Sequence, residues 1–110
     1  MFGRGKASQP LGQIDVSGCD FLDNSLEFAR LWVDPEGPST YLIEPRHLGA
    51  DPFVFGMAMV DTIRHAARAY AHAVGVTEEH ALERIYEGFD AERGMNTTGL
   101  DTIQDVGEPD

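Results

Sequence analysis

Five ionisable side chains at helical spacing are the best candidates for chemistry in this chain. We call them the polar stripe: Asp61, Arg64, His65, Arg68 and His72. On a helical wheel four of them lie within roughly 60° of one another, and Arg64 lies beside them. Arg64 and Arg68 are one turn apart, so their guanidinium groups could together hold a carboxylate or a phosphate. The spacing therefore predicts a ligand-binding site for an anion at Arg64, His65 and Arg68.

The same stripe is also typical of a solvated helix face. Asp61 can pair with Arg64 or His65 at i,i+3 or i,i+4 spacing, and such pairs contribute about 0.3 kcal/mol each. The arginines could instead meet acidic residues of a second helix, in this chain or in a partner. A salt-bridged surface is the preferred interpretation, and the sequence leaves open whether the stripe faces solvent or an interface.

The sequence predicts no metal site, no cofactor and no catalytic residue. His65 and His72 would lie about 10 Å apart along a helix axis, whereas two ligands of one zinc each lie about 2 Å from the ion. The chain has a single cysteine, Cys19, and it lacks the glycine-rich and nucleophile motifs of nucleotide-binding proteins and hydrolases. Whether the chain is an enzyme stays open, but these features argue against it.

Two helices must position these side chains. Asp51 as N-cap and Pro52 at the first position predict a helix that ends near Val74, with Gly75 in the left-handed position after it. Its apolar face is expected to comprise Met59, Ile63, Ala66, Ala67, Tyr70 and Val74.

A second helix is predicted from Thr77 to Gly94, with acidic residues near its positive end. Its buried stripe is expected to comprise Leu82, Ile85, Tyr86 and Phe89. Its outer face is acidic and carries Glu79, Glu83, Glu87 and Asp90.

Before the helices, the sequence predicts a β-hairpin. Residues 26–33 alternate between two faces, a loop of about six residues rich in turn formers follows, and residues 40–44 form the second strand. Residues 13–25 fit either an edge strand or one helical turn.

These elements predict an α+β fold. It has two layers, an antiparallel β-hairpin that a partner chain could extend and two α-helices packed on one face. The expected organisation is an irregular N-terminal segment (residues 1–25), one α+β domain (residues 26–93) and an acidic flexible tail (residues 94–110). Because a lone hairpin is marginal in water and its edges invite pairing, we expect a homodimer, and another protein partner is a further option.

The composition restricts the classes of partner that the chain is expected to bind. The formal net charge is −11 and the pI about 4.5, a balance that repels nucleic-acid backbones and anionic membrane surfaces. The chain has no apolar run of about 18 residues, and hence no expected membrane span. Together with the lone cysteine, this predicts a cytoplasmic protein.

Residues 26–92 resemble a family of small bacterial proteins known only as a domain of unknown function. The resemblance rests on the hairpin and helix sequences, including the segment from Leu82 to Glu92, and its most specific pieces in combination are Arg64-His65 with Ala69-Tyr70 and residues 89–92. It implies a compact two-layer α+β domain in the cytoplasm of a bacterium. The resemblance does not indicate any particular activity.

The sequence thus favours a small acidic protein that acts as a non-enzymatic, homodimeric interaction or accessory module. The alternative is a protein that binds a small anionic ligand through Arg64, His65 and Arg68.

Overall fold

The computed structural model describes residues 12–95. A 3₁₀ turn (Asp20–Leu22) precedes strand β1 (Ala29–Trp32) and strand β2 (Thr40–Ile43), and a second 3₁₀ turn (Pro45–His47) leads into helix α1 (Pro52–Val74) and helix α2 (Glu78–Gly94). This order confirms the predicted α+β fold, a hairpin followed by two helices. Apart from Gly94 and Met95, the predicted acidic tail lies outside the described residues, as do residues 1–11 of the predicted N-terminal segment.

The hairpin is antiparallel, with Ala29 opposite Ile43 and Trp32 opposite Thr40. Both strands are shorter than predicted, and at the end of β2 the chain turns directly into a 3₁₀ helix. Glu44 ends β2, and its carboxylate accepts a hydrogen bond from the backbone N–H of Arg46, which caps the 3₁₀ turn. Of the two options for residues 13–25, the helical turn is correct, since Asp20–Leu22 forms one turn of 3₁₀ helix.

The helix ends follow the predicted caps. The Asp51 Oδ1 accepts from the backbone N–H of Phe53 at 3.1 Å, and Gly75 adopts φ 77°, with its N–H donated to the carbonyl of Ala71. The Thr77 Oγ1 accepts from the backbone N–H of His80 at 3.0 Å. These side-chain bonds satisfy N–H groups that the first turn of a helix cannot bond internally.

α1 and α2 pack on each other, and the centre of their contact is made of small residues. Within residues 12–95, only Ala67 and Ala81 are buried, at 1% and 5% exposure. On the predicted apolar face of α1, Tyr70 and Val74 are exposed, and Phe89 of the predicted buried stripe of α2 is exposed as well. The alanines allow the helix backbones to approach closely, and the long apolar side chains are left at the margins of the contact.

The hairpin and the helices meet over a much smaller contact than the two helices share. The ring of Phe28, just before β1, lies edge-on to the ring of Phe55 on α1, with centroids 6.0 Å apart. Because side chains alternate along a strand, Trp32 and Leu42 lie on the same hairpin face as Phe28, and all three are half-buried. This inner face is the one turned toward α1.

Candidate functional site

The polar stripe lies on the exposed side of α1. Asp61, Arg64, His65, Arg68 and His72 are all exposed. The Arg64 Nη1 lies 3.9 Å from the Asp61 Oδ1, and the Arg64 side chain is 70% exposed. Such a long, solvated contact contributes little stability, so Arg64 could turn to other partners at small cost.

Arg68 bridges the two helices. Its Nε lies 3.5 Å from the Glu78 Oε2 at the start of α2, and the Arg68 side chain is 65% exposed. Of the options that the sequence left open, this geometry matches a contact between the stripe and the second helix of the same chain. Arg64 and Arg68 therefore each lie beside a carboxylate, and no described contact links His65 to either of them. The anion site at Arg64, His65 and Arg68 stays a prediction.

A groove of about 790 Å³ runs along the outer edge of β1. One wall is the chain before the hairpin, with Ile14, Val16 and Leu22, and the other wall is β1 from Ala29 onward. Its charged lining residues are Glu27 and Arg30, and the Arg30 Nε donates to the Glu27 Oε2 at 2.6 Å. The groove is therefore apolar, with one neutralised ion pair, in a chain whose net charge is −11.

Two residues that line this groove, Ala29 and Leu31, have backbone groups without a partner strand among residues 12–95. The N–H of Glu44 donates to the carbonyl of Phe28, and hydrogen-bonded pairs alternate along an antiparallel ladder. Arg30 and Trp32 therefore bond to β2, whereas the N–H and C=O groups of Ala29 and Leu31 point away from it. Nothing within the described part of the chain forms a hydrogen bond to these outward groups.

Large apolar side chains are exposed on two surfaces. The outer hairpin face carries Leu31 and Tyr41, directly opposite each other and 59% and 51% exposed, with Val33 beyond them. The first half of α1 carries an exposed apolar stripe, Phe53, Val54, Met57 and Val60. Exposed apolar patches are a common feature of protein–protein interaction surfaces.

The 3₁₀ turn between hairpin and α1 is held by a two-point ion pair. The Arg46 guanidinium donates from Nε to the Glu44 Oε2 at 2.6 Å and from Nη2 to the Glu44 Oε1 at 2.8 Å. These hydrogen bonds from Arg46 lower the pKa of Glu44 from 4.5 to about 2. The pair fixes the direction in which the chain leaves β2. This pair was not predicted from the sequence, although an acid and an arginine on either side of Pro45 are a visible signal for it.

Three properties bear on other kinds of site. Among residues 12–95, no three His, Cys, Asp or Glu side chains converge in a way that could hold a metal ion. No helix in the same range is both long and apolar enough to span a bilayer. Cys19 is a half-buried free thiol at the start of the first 3₁₀ turn.

Comparison with known proteins agrees with the resemblance seen in the sequence. A family model described as a domain of unknown function, DUF5076, matches residues 20–97. A solved structure described as a "putative pyruvate dehydrogenase" from the photosynthetic bacterium Rhodopseudomonas palustrus CGA009 is 38% identical to this chain. That match covers 87% of this chain and 92% of the other, with a TM-score of 0.56. No curated protein matches the chain.

Proposed function

We propose that this chain, which belongs to the DUF5076 family of unknown function, acts as a homodimeric, non-enzymatic interaction module. The observation that carries the proposal is the small core of the single chain. Two alanines are the buried residues between positions 12 and 95, while leucine, tyrosine, phenylalanine and methionine side chains of the hairpin and α1 face solvent. Burial of one such large side chain contributes about 1.5–3 kcal/mol, and a second copy would provide that burial.

The arrangement of the layers supports the same proposal. The two strands pair with each other and the two helices pack on each other, but the contact between these units is small. A two-stranded sheet needs further strands or a broad helix contact for stability. A partner that contacts the hairpin would supply the further strands or the broader contact that the sheet of a single chain lacks.

The proposed setting is the bacterial cytoplasm. The related solved structure comes from a bacterium, and the single cysteine of this chain suits a reducing compartment. The name of the related structure refers to an enzyme. For the present chain it suggests pyruvate as a ligand to test.

The test of the homodimer is the mass in solution. Light scattering coupled to size exclusion, across micromolar protein concentrations, should give twice the 12.1 kDa of one chain. A mass of one chain over the whole concentration range would contradict the proposal.

A second candidate function is the binding of a small carboxylate or phosphate at Arg64, His65 and Arg68. It is favoured by two exposed arginines on one helix face of a strongly acidic chain. The related structure is described as a "putative pyruvate dehydrogenase", and pyruvate is a small carboxylate of the kind that two arginines could bind. Competition from Asp61 and Glu78 weakens the site, so we rank this function second.

Thermal denaturation with pyruvate or inorganic phosphate tests the second function. A ligand-dependent rise in Tm should be lost in Arg68→Ala and kept in Arg84→Ala. The control Arg84 lies on α2 and forms an i,i+3 ion pair with Glu87, so it matches the substitution without touching the stripe. No ligand-dependent shift in the wild-type protein would rule this function out.

A further inference from the structure

We infer that the homodimer forms by antiparallel pairing of β1 with β1 of a second copy, around a two-fold axis that passes beside Leu31. The two hairpins then make one four-stranded sheet. This inference rests on the proposed homodimer and specifies its interface.

The backbone of β1 is suited to this pairing. The outward N–H and C=O groups of Ala29 and Leu31 have no hydrogen-bond partner within residues 12–95. An exposed row of such groups is a template for strand addition. Ala29 and Leu31 also line the groove of about 790 Å³, so there is open space next to these residues for a further strand.

Charge favours a second copy of this strand as the occupant. The chain as a whole has a formal net charge of −11, so acidic segments of two copies would repel each other. The segment from Ala29 to Val33, by contrast, has one basic and no acidic residue. In the groove, Arg30 is already paired with Glu27, which leaves an edge without net charge for the same strand of a partner.

Side-chain pairing selects the register. With Leu31 opposite the partner's Leu31, Ala29 faces the partner's Val33, and both pairs use the outward backbone groups. On the other face, Arg30 lies opposite the partner's Trp32, where a guanidinium over an indole is favourable. A shift that places Arg30 opposite the partner's Arg30 loses this contact and brings two guanidinium groups side by side, which is less favourable even with Glu27 paired to each.

Cysteine cross-linking tests the register directly. Residues that exchange two hydrogen bonds across an antiparallel pair have Cα atoms about 5.5 Å apart, within the range that a disulfide spans. In a Cys19→Ser background, which removes the native thiol, Leu31→Cys should form a covalent dimer under mild oxidation.

The matched control is Tyr41→Cys in the same background. Tyr41 lies directly opposite Leu31 within the hairpin, on the same face and with similar exposure, but on the other strand. It should not cross-link. Circular dichroism of both variants before oxidation establishes that they are folded.

The outcomes separate the interface from the homodimer itself. A protein with dimer mass whose Leu31→Cys variant stays uncross-linked, or cross-links no better than Tyr41→Cys, overturns the β1 interface and leaves the homodimer standing. A protein with the mass of one chain overturns both.

Amide hydrogen exchange of the unmodified protein provides a second readout. Arg30 and Trp32 bond to β2 within one chain, so their amides should be protected whatever the assembly. The amides of Ala29 and Leu31 should be protected to the same degree only if a partner strand bonds to them. Rapid exchange at Ala29 and Leu31 in a protein of dimer mass would contradict the inferred pairing.

Discussion

Replacement of Gly56 by alanine is expected to stabilise the protein. Gly56 lies in the first half of α1, next to the exposed apolar stripe, and it is itself exposed. Glycine within a helix loses more conformational entropy on folding than alanine does. The substitution therefore tests whether this part of α1 faces solvent in the assembled protein.

The expected magnitude follows from the space around Gly56. A Cβ atom at this position meets no atom within 4 Å, so no steric cost offsets the gain in helix propensity. That gain is about 0.5–1 kcal/mol. For a domain of this size it corresponds to a rise in Tm of about 2–8 °C.

Two glycine substitutions calibrate the measurement. Gly88→Ala, in α2 and with equally open surroundings, should raise Tm by a similar amount. Gly75→Ala should lower it, because Gly75 has a φ of 77°, and an L-residue pays about 1–2 kcal/mol in this region. All variants are compared by calorimetry at one protein concentration, since the Tm of a dimer depends on concentration.

The result that would refute the reasoning is a fall in Tm for Gly56→Ala alongside a rise for Gly88→Ala. It would mean that another helix or sheet packs closely on Gly56 in the assembled protein. The dimer interface would then run along α1, where Phe53 and Met57 are exposed, and the inferred pairing through β1 would be wrong.

Two further substitutions test the turn before α1 and the contact between the helices. Arg46→Met removes the ion pair that lowers the pKa of Glu44 to about 2. A carboxyl whose pKa is lowered in the folded state stabilises the protein at pH values above its unfolded-state pKa. This contribution is lost as the pH falls through the folded-state pKa. The variant should therefore be less stable than wild type above about pH 5, and the difference should shrink as the pH falls and disappear below pH 2, as measured by urea denaturation monitored through Trp32 fluorescence. A difference that does not change with pH would contradict the assignment. Ala67→Leu should destabilise the protein by about 1–3 kcal/mol because it overpacks a fully buried position, whereas Ala73→Leu, at an exposed position of the same helix, should change stability little; equal effects would show that the helix contact does not centre on Ala67.

The helices were predictable because their ends depend on local chemistry. Asp51, Pro52 and Gly75 bound α1, and Thr77 begins α2, as the sequence indicated. A cap uses a side chain and a backbone group a few residues apart. Its effect is therefore visible in the sequence without knowledge of the tertiary structure.

Exposure was harder to predict, because it depends on which elements meet. The apolar periodicity of α1 suggested a broad buried face, and the structure buries Ala67 while Tyr70 and Val74 remain exposed. Periodicity reports which side of a helix is apolar. It does not report how much of that side one neighbouring helix covers, and α2 covers only part of it.

The candidate site could be predicted only in part, because it too depends on which elements meet. The stripe from Asp61 to His72 lies on the exposed side of α1, but the carboxylate that meets Arg68 comes from the start of α2, and helical spacing alone does not specify that neighbour. The groove beside β1 needs the chain before the hairpin as its second wall, and residues 13–25 carried no decisive pattern. The surface most suited to a partner is therefore built from a short strand with unbonded backbone groups and an irregular segment. The inferred strand pairing between two copies would bury exposed apolar side chains of the hairpin, and it would also bond the edge of β1 that is unpaired within residues 12–95.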